Sequence, residues 1–314
     1  MHNIQNEWLD TIRGEYLHDF IKHGGAAVKF VVPVEDVDHD PLLTGLQKAS
    51  EEENYLFTSV SAVTIKIHMI DKLFHETAGK IDWDDLASAF VRKIIMENGC
   101  RLPDLREDFN LRQIAALNKR EENSFRNEIH SWIEDKIYHD YKMCQEFRIA
   151  MIRLCKDCLD APFLSHAVKE WLLGELRLIS TLKKERIFQK IARHNARHML
   201  FSLVHWLRVN GKSGLVLVLD IARYLVSTRS KNPDDGNFYT PAAALDVYEV
   251  LRQFIDQTDE MEGCLIVVLA PRDFLLDDKR GVNRYDALKL RIWNEVRDRR
   301  RQNPLAALVR LADD

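Results

Sequence analysis

Apolar positions recur at helical spacing over residues 7–23, where Trp8, Leu9, Ile12, Tyr16, Leu17, Phe20 and Ile21 predict an amphipathic helix. Gly24 and Gly25 stop it. Residues 27–34 read Ala-Val-Lys-Phe-Val-Val-Pro-Val, a β-branched apolar strand, and residues 55–62 form a second strand candidate. From 65 to 200 the period turns helical, with runs over 67–78, 83–98, 111–117, 122–145, 147–159 and 166–182. Pro103 and Pro162 punctuate this block. Residues 201–208 end a further helix, and 210–214 make a turn. The run 214–220, Gly-Leu-Val-Leu-Val-Leu-Asp, is then apolar without alternation, as in a parallel strand buried on both faces. A polar loop over 227–239 leads to Pro241, suited to a first helical turn, and to an amphipathic helix over 242–257. Gly263 precedes a strand over 264–270, and a charged loop leads to a closing helix over 285–301.

An apolar run closing on one aspartate is how the Walker B strand of a P-loop ATPase reads. Asp220 would then sit at the carboxyl ends of the strands, where open α/β sheets bind ligands. The pattern predicts an α/β fold, a P-loop NTPase-like parallel sheet flanked by helices. A large helical insertion stands between the early strands and the Walker B-like strand. Residues 1–64 are the first part of the α/β domain, 65–200 the insertion or subdomain, and 201–314 the second part.

Composition narrows the function classes. Twelve glycines and eight prolines in 314 residues favour helix over a turn-rich β architecture. The net charge of -4 removes any global case for nucleic-acid binding and leaves only local patches. Cys100, Cys144, Cys155, Cys158 and Cys264 are odd in number and scattered, which points to a reducing cytoplasm. No apolar run is long enough to cross a membrane, and the polar first residues lack the apolar segment of a signal peptide.

Several fragments stand in a telling order. They are Gly24-Gly25 with Lys29-Phe30, the segment 214–225, Leu251-Arg252-Gln253-Phe254-Ile255-Asp256, the strand 265–270, Gly281-Val282 with Arg284, Leu290-Arg291-Ile292, and Val309-Arg310-Leu311. In that order the chain resembles AAA+/STAND-type P-loop ATPases, and more narrowly the BrxD-like ATP-binding proteins of BREX-type phage-defence islands. The likeness is good over 200–311, fair over 20–62 and vague between them. It implies ATP and Mg²⁺ as ligands and other subunits of a defence system as partners.

Departures from that pattern shape the functional expectation. A phosphate loop needs glycines for backbone N–H groups, a lysine for the β/γ-phosphates and a Ser/Thr for Mg²⁺. Laid on this chain, the spacing puts Pro33 and Asp38 at the glycines, His39 at the lysine and Asp40 at the Ser/Thr. Proline has no N–H, and each close carboxylate–phosphate pair near a surface costs about 4 kcal/mol. Ile221 follows Asp220 where a catalytic glutamate would polarise water. Pro271 and Arg272 occupy the place of a small polar sensor. Arg280, Arg284 and Arg291 are candidates to face a phosphate or a neighbouring subunit.

Other constellations have bland counterparts. Residues 35–40, Glu-Asp-Val-Asp-His-Asp, offer oxygen ligands for a divalent cation, but a solvated acidic loop is the commoner reading. Cys155-Lys156-Asp157-Cys158 lacks a second ligand pair, and His194 and His198 would join it only through tertiary placement. Gly211-Lys212-Ser213-Gly214 precedes its strand, so it reads as a turn. Arg297, Arg299, Arg300 and Arg301 form a basic cluster that is either a DNA-facing patch or a solvated helix face beside Glu295 and Asp298. Lys183, Lys184 and Arg186 with Lys190, Arg193 and Arg197 read the same way.

Three functions remain. The favoured one is a degenerate P-loop protein, a pseudo-ATPase serving as scaffold or regulatory subunit with no bound cofactor. The second is an ATPase whose ATP/Mg²⁺ site is completed by an atypical loop or a partner's residues. The third is a DNA-binding module.

Overall fold

A computed structural model describes residues 4–33, 40–103, 109–159, 163–229, 232, 236–293 and 303–311. The chain forms two compact units, residues 1–73 with 211–314, and residues 74–210.

The first unit is built on five parallel strands, β1 (Ala26–Pro33), β2 (Tyr55–Ser61), β3 (Gly214–Asp220), β4 (Cys264–Leu269) and β5 (Leu308–Leu311). Their order across the sheet is β2-β3-β4-β1-β5. β3 and β4 are buried at nearly every position, as their unbroken apolar runs require. The fold is therefore α/β with a parallel sheet flanked by helices.

Alternation along each strand sorts the two faces. Val31, Val216, Val218, Leu265, Val267, Leu269, Val309 and Leu311 share one core with Trp8, Ile12, Leu17, Ile21, Leu42, Leu46 and Ala49. Those partners come from α1 (Ile4–Thr11), a π-helical continuation (Ile12–Phe20) and α2 (Asp40–Glu52). On the opposite face Phe30 stacks on Phe274 at 5.8 Å, and Tyr248 meets Phe274 at 5.6 Å. Tyr248 and Phe274 belong to α11 (Pro241–Asp256) and α12 (Asp273–Leu276), which lie in chain order after α10 (Ala222–Leu225). α13 (Asp286–Ile292) is tied to α11 by Arg291 on Asp256 and by Tyr285 on Glu249. The Glu249 carboxyl is held at about 2, chiefly by its hydrogen bond from Arg252.

Two local features correct the sequence reading. The first helix is not α-helical to its end. Buried Ile12, Leu17 and Ile21 are spaced five and then four apart, and Ile21 N–H donates to Tyr16 O at 2.8 Å across a five-residue step. A wider helix keeps those three on one face, where a 3.6-residue turn would have brought round Tyr16. The closing helix over 285–301 is, among described residues, the short α13, and the strand β5 follows it.

Lys29 binds β5's approach to β1. Its side chain points to the core face and is buried, with Nζ donating to Leu305 O at 2.6 Å and Ala306 O at 3.1 Å. Nζ also lies 4.2 Å from the centre of the Tyr16 ring. Burial pushes the amine down from 10.5 to about 8. Below pH 8 it is charged in both the folded and unfolded chain, and the buried charge costs its full amount. Above pH 8 the folded amine sheds its proton first. Stability is thus expected to rise between pH 8 and 10, toward a total of about 3 kcal/mol. Above pH 10 the buried phenols of Tyr224 and Tyr248, raised by burial, reverse the trend. Urea midpoints across pH 7–10 check this, and Lys29→Met should flatten the rise.

The second unit is helical: α4 (Trp83–Glu97), α5 (Leu111–Leu117), α6 (Glu122–Tyr138), α7 (Gln145–Asp157), α8 (Phe163–Leu173), a 3-10 turn (Ile179–Glu185) and α9 (Ala196–Val209). α3 (Ile70–Ala78) spans the boundary between the units. Side chains cap three starts: Asp82 on α4, Asn110 on α5 and Glu121 on α6. Phe125, Ile129, Ile133 and Ile137 recur every four residues as the buried stripe of α6. Phe90 meets Trp206 at 4.8 Å in the core. The helical runs expected over 122–145 and 166–182 are each interrupted. α6 ends at Tyr138, and α8 ends before Gly174, whose φ is +77°.

Candidate functional site

The connections of the sheet locate a topological switch point. β1 runs on through α2 on one face toward β2, whereas β4 runs on through α12 on the other face toward β5. β1 and β4 are neighbours, so their connections part between them. Ligands of open α/β sheets bind outside the carboxyl ends of strands at such a point. Its rim is formed by the ends of β1 and β4, with Asp220 on the next strand.

Asp220 is partly exposed at the end of β3 and stands opposite Ser61 of β2. Ser61 Oγ donates to Asp220 Oδ2 at 2.9 Å, and the amide of Ala222 donates to Oδ1 at 2.9 Å. Each carboxylate oxygen keeps a lone pair beyond these bonds. Such hard oxygens suit Mg²⁺, which takes one or two carboxylates and completes its shell with phosphates and water. Among the described residues no group of three His, Cys, Asp or Glu is placed to hold a metal by itself.

Ile221 follows the end of β3, its amide still donating to Leu269 O at 3.0 Å, and its side chain is fully buried. Ala270 does the same with Val31 O at 3.0 Å. Pro271 and Arg272 follow at the rim, where their carbonyls accept the first amides of α12. Of the phosphate-loop candidates, Pro33 ends β1 and Asp40 opens α2, while Asp38 and His39 lie outside the described residues.

The three arginines have different settings. Arg280 is buried, and its Nη1 donates to Tyr224 O at 2.9 Å and Tyr239 O at 2.8 Å. Its guanidinium lies 5.6 Å from the Phe238 ring. Arg291 holds Asp256 with two nitrogens, at 2.5 and 2.9 Å. Arg284 is exposed in the turn before α13. Arg297, Arg299, Arg300 and Arg301 lie outside the described residues.

A latch that sequence reasoning missed secures the loops beside Asp220. Tyr224 and Tyr239 stack at 3.9 Å between ring centres. Tyr239 donates to Ala62 O at 2.7 Å, and Tyr224 OH lies 2.7 Å from His68 Nδ1. Arg223 Nε donates to Asn237 O, whose amide in turn donates to Val63 O at 3.0 Å. The one signal of this in the sequence is a Tyr at each end of a polar loop.

The remaining motifs resolve as local structure. Gly211–Gly214 is a turn, with Ser213 Oγ donating to Glu53 O at 2.7 Å. Cys155 is buried, its thiol pushed well up by burial, and Cys158 Sγ donates to the Cys155 carbonyl. His194 precedes α9 and bonds Gln189, so it does not share a helix face with His198. Lys183, Lys184 and Arg186 sit at the 3-10 turn and its cap, with Lys190, Arg193 and Arg197 beyond, and so do not form one basic helix. No helix among the described residues is long and apolar enough to cross a membrane.

No curated protein and no solved structure matches the chain. Residues 110–313, well over half of it, match a family described as BREX system ATP-binding protein BrxC/D. That stretch includes the helices from α5 onward, Asp220 and everything after it; β1 and β2 precede it. The chain belongs to the BREX system ATP-binding protein BrxC/D family.

Proposed function

We propose that this member of the family is a pseudo-ATPase, a non-hydrolysing scaffold or regulatory subunit of a phage-defence assembly. The observation that carries the reading is Ile221, which puts a buried methyl-rich side chain where hydrolysis needs a water-polarising carboxylate. Pro33, Asp38, His39 and Asp40 support it, because that set supplies neither the glycine amides nor the lysine of a phosphate loop. The partners of such a subunit are other proteins of the defence system, held by the outer surfaces of a fold whose core is intact.

A second reading is favoured by Asp220. Its carboxylate is kept at the rim and oriented by two hydrogen bonds, as a Mg²⁺ ligand would be. Bound ATP with Mg²⁺ would supply a phosphoanhydride and a divalent charge; this chain would hold the metal through Asp220 and leave phosphate contacts to an atypical loop or to a partner.

Two measurements separate the readings. The purified chain should show no ATP hydrolysis above background, and any thermal shift with millimolar Mg-ATP or ADP should be the same in Asp220→Ala as in wild type. Asp220→Ala should cost about 1–2 kcal/mol by removing both hydrogen bonds, with no nucleotide-dependent change. ATP hydrolysis that disappears in Asp220→Ala would sink the pseudo-ATPase reading in favour of the second.

A further inference from the structure

The helical unit carries a groove of about 650 Å³ between α6, α7 and the end of the 3-10 turn. Four cations line it, Arg153, Lys156, Lys184 and Arg186. Two are neutralised within the unit. Lys156 binds Glu134, and Arg153 binds Asp157 at 2.7 Å and Glu185 at 3.7 Å. The remaining lining acid, Asp135, lies 3.3 Å from His139. Lys184 and Arg186 are exposed and have no ion pair among the described residues, so the positive charge of the groove is concentrated on them.

Arg186 is also conformationally unusual. It caps the 3-10 turn at φ +61°, a left-handed position that costs an L-residue about 1–2 kcal/mol and that glycine occupies freely. Strain of this kind persists where the surrounding structure fixes it, and it is enriched at ligand sites. The groove also offers the half-exposed ring of Tyr138, over which the Arg148 guanidinium lies 5.6 Å from the ring centre, leaving the other face for a ligand.

We propose that this groove binds a phosphate group carried next to an aromatic base, as presented by a single-stranded nucleic acid or a free nucleotide. A guanidinium fork and an ammonium together match phosphate oxygens. An exposed aromatic ring is a platform on which a base stacks. The volume fits a nucleotide-sized ligand. The chain's net charge of -4 gives no long-range pull on a polyanion, so binding rests on these local groups. The site lies on the helical unit and stands or falls independently of the chemistry at Asp220.

The test uses the whole chain, a fluorescently labelled oligothymidylate followed by anisotropy, and AMP followed by calorimetry. Arg186→Gly removes the guanidinium while supplying the residue that the backbone prefers, so its melting temperature should be unchanged or higher. Its affinity should fall at least five-fold, and Lys184→Ala should act in the same direction. Oligonucleotide binding that is lost this way assigns a strand as the ligand; AMP binding alone, lost the same way, assigns a free nucleotide. Absence of binding to both probes, or equal affinity in wild type and Arg186→Gly, overturns the proposal.

Discussion

Arg280→Ala is expected to cost about 4 kcal/mol and to loosen the segment around residues 236–240. The guanidinium donates to two buried carbonyls, Tyr224 O and Tyr239 O, and packs against Phe238. Alanine would leave both carbonyls without a donor and remove the packed stem, and each dry carbonyl alone costs about 1–3 kcal/mol. The Arg280 carbonyl meanwhile accepts from Tyr248 OH at 2.6 Å, so the disturbance reaches α11. Urea denaturation gives the stability loss. Hydrogen exchange at Asn237 and Tyr239 should accelerate far more than exchange in β3. A soluble variant of wild-type stability that had lost only nucleotide or partner binding would show that Arg280 acts through an external anion instead.

Gly214→Ala should be worse still, at least about 4 kcal/mol, and should appear first as lost soluble protein. Gly214 opens β3 at φ +149°. A Cβ there would lie 1.8 Å from the carbonyl oxygen of Gly263. That oxygen accepts the Leu215 amide at 3.0 Å, and the Gly263 amide is itself bonded to Gly25 O at 2.9 Å. The obstacle is therefore backbone held on both sides, and it cannot swing away as a side chain would. Soluble yield and melting temperature check the point, with Gly211→Ala as the comparison. Gly211 is left-handed too, at φ +85°, but its Cβ would meet nothing within 4 Å, so only the backbone strain of about 1–2 kcal/mol applies.

The parts of the fold that were legible are those whose signal is local. The run ending in Asp220 and the run 264–269 could be read as buried strands because both faces of each are covered. Helix α11 announced itself by Pro241 at its first turn, and the structure adds the cap Thr240, whose hydroxyl accepts the Ala243 amide. β5 was illegible because four residues carry too little period, and only the neighbouring β1 makes them a strand. The π-helical turn was hidden for a related reason, since a five-residue apolar spacing looks like noise in a 3.6-residue pattern. At the site, Asp220 was visible but its partner Ser61 was not. Their contact depends on a parallel register between segments 159 residues apart. Arg280 read as a candidate to face a phosphate or a neighbouring subunit, and nothing in its charged loop reports the two carbonyls it meets.

The order of the strands also bears on how the chain is made. Among the described residues β1 pairs only with β4 and β5, and β2 pairs only with β3. The two strands within the first 61 residues therefore have no bond to each other. When β1 leaves the ribosome, more than two hundred residues must still follow it out before its nearest partner, β4, emerges. At about 5–20 residues per second, that leaves an apolar strand without its partners for roughly 10–40 s. The helical unit between β2 and β3 has all its residues available well before then. Open edges of this kind attract other chains. The segment around β1 is thus the part that most needs protection by a chaperone, and the emergence of β4 and β5 ends that need.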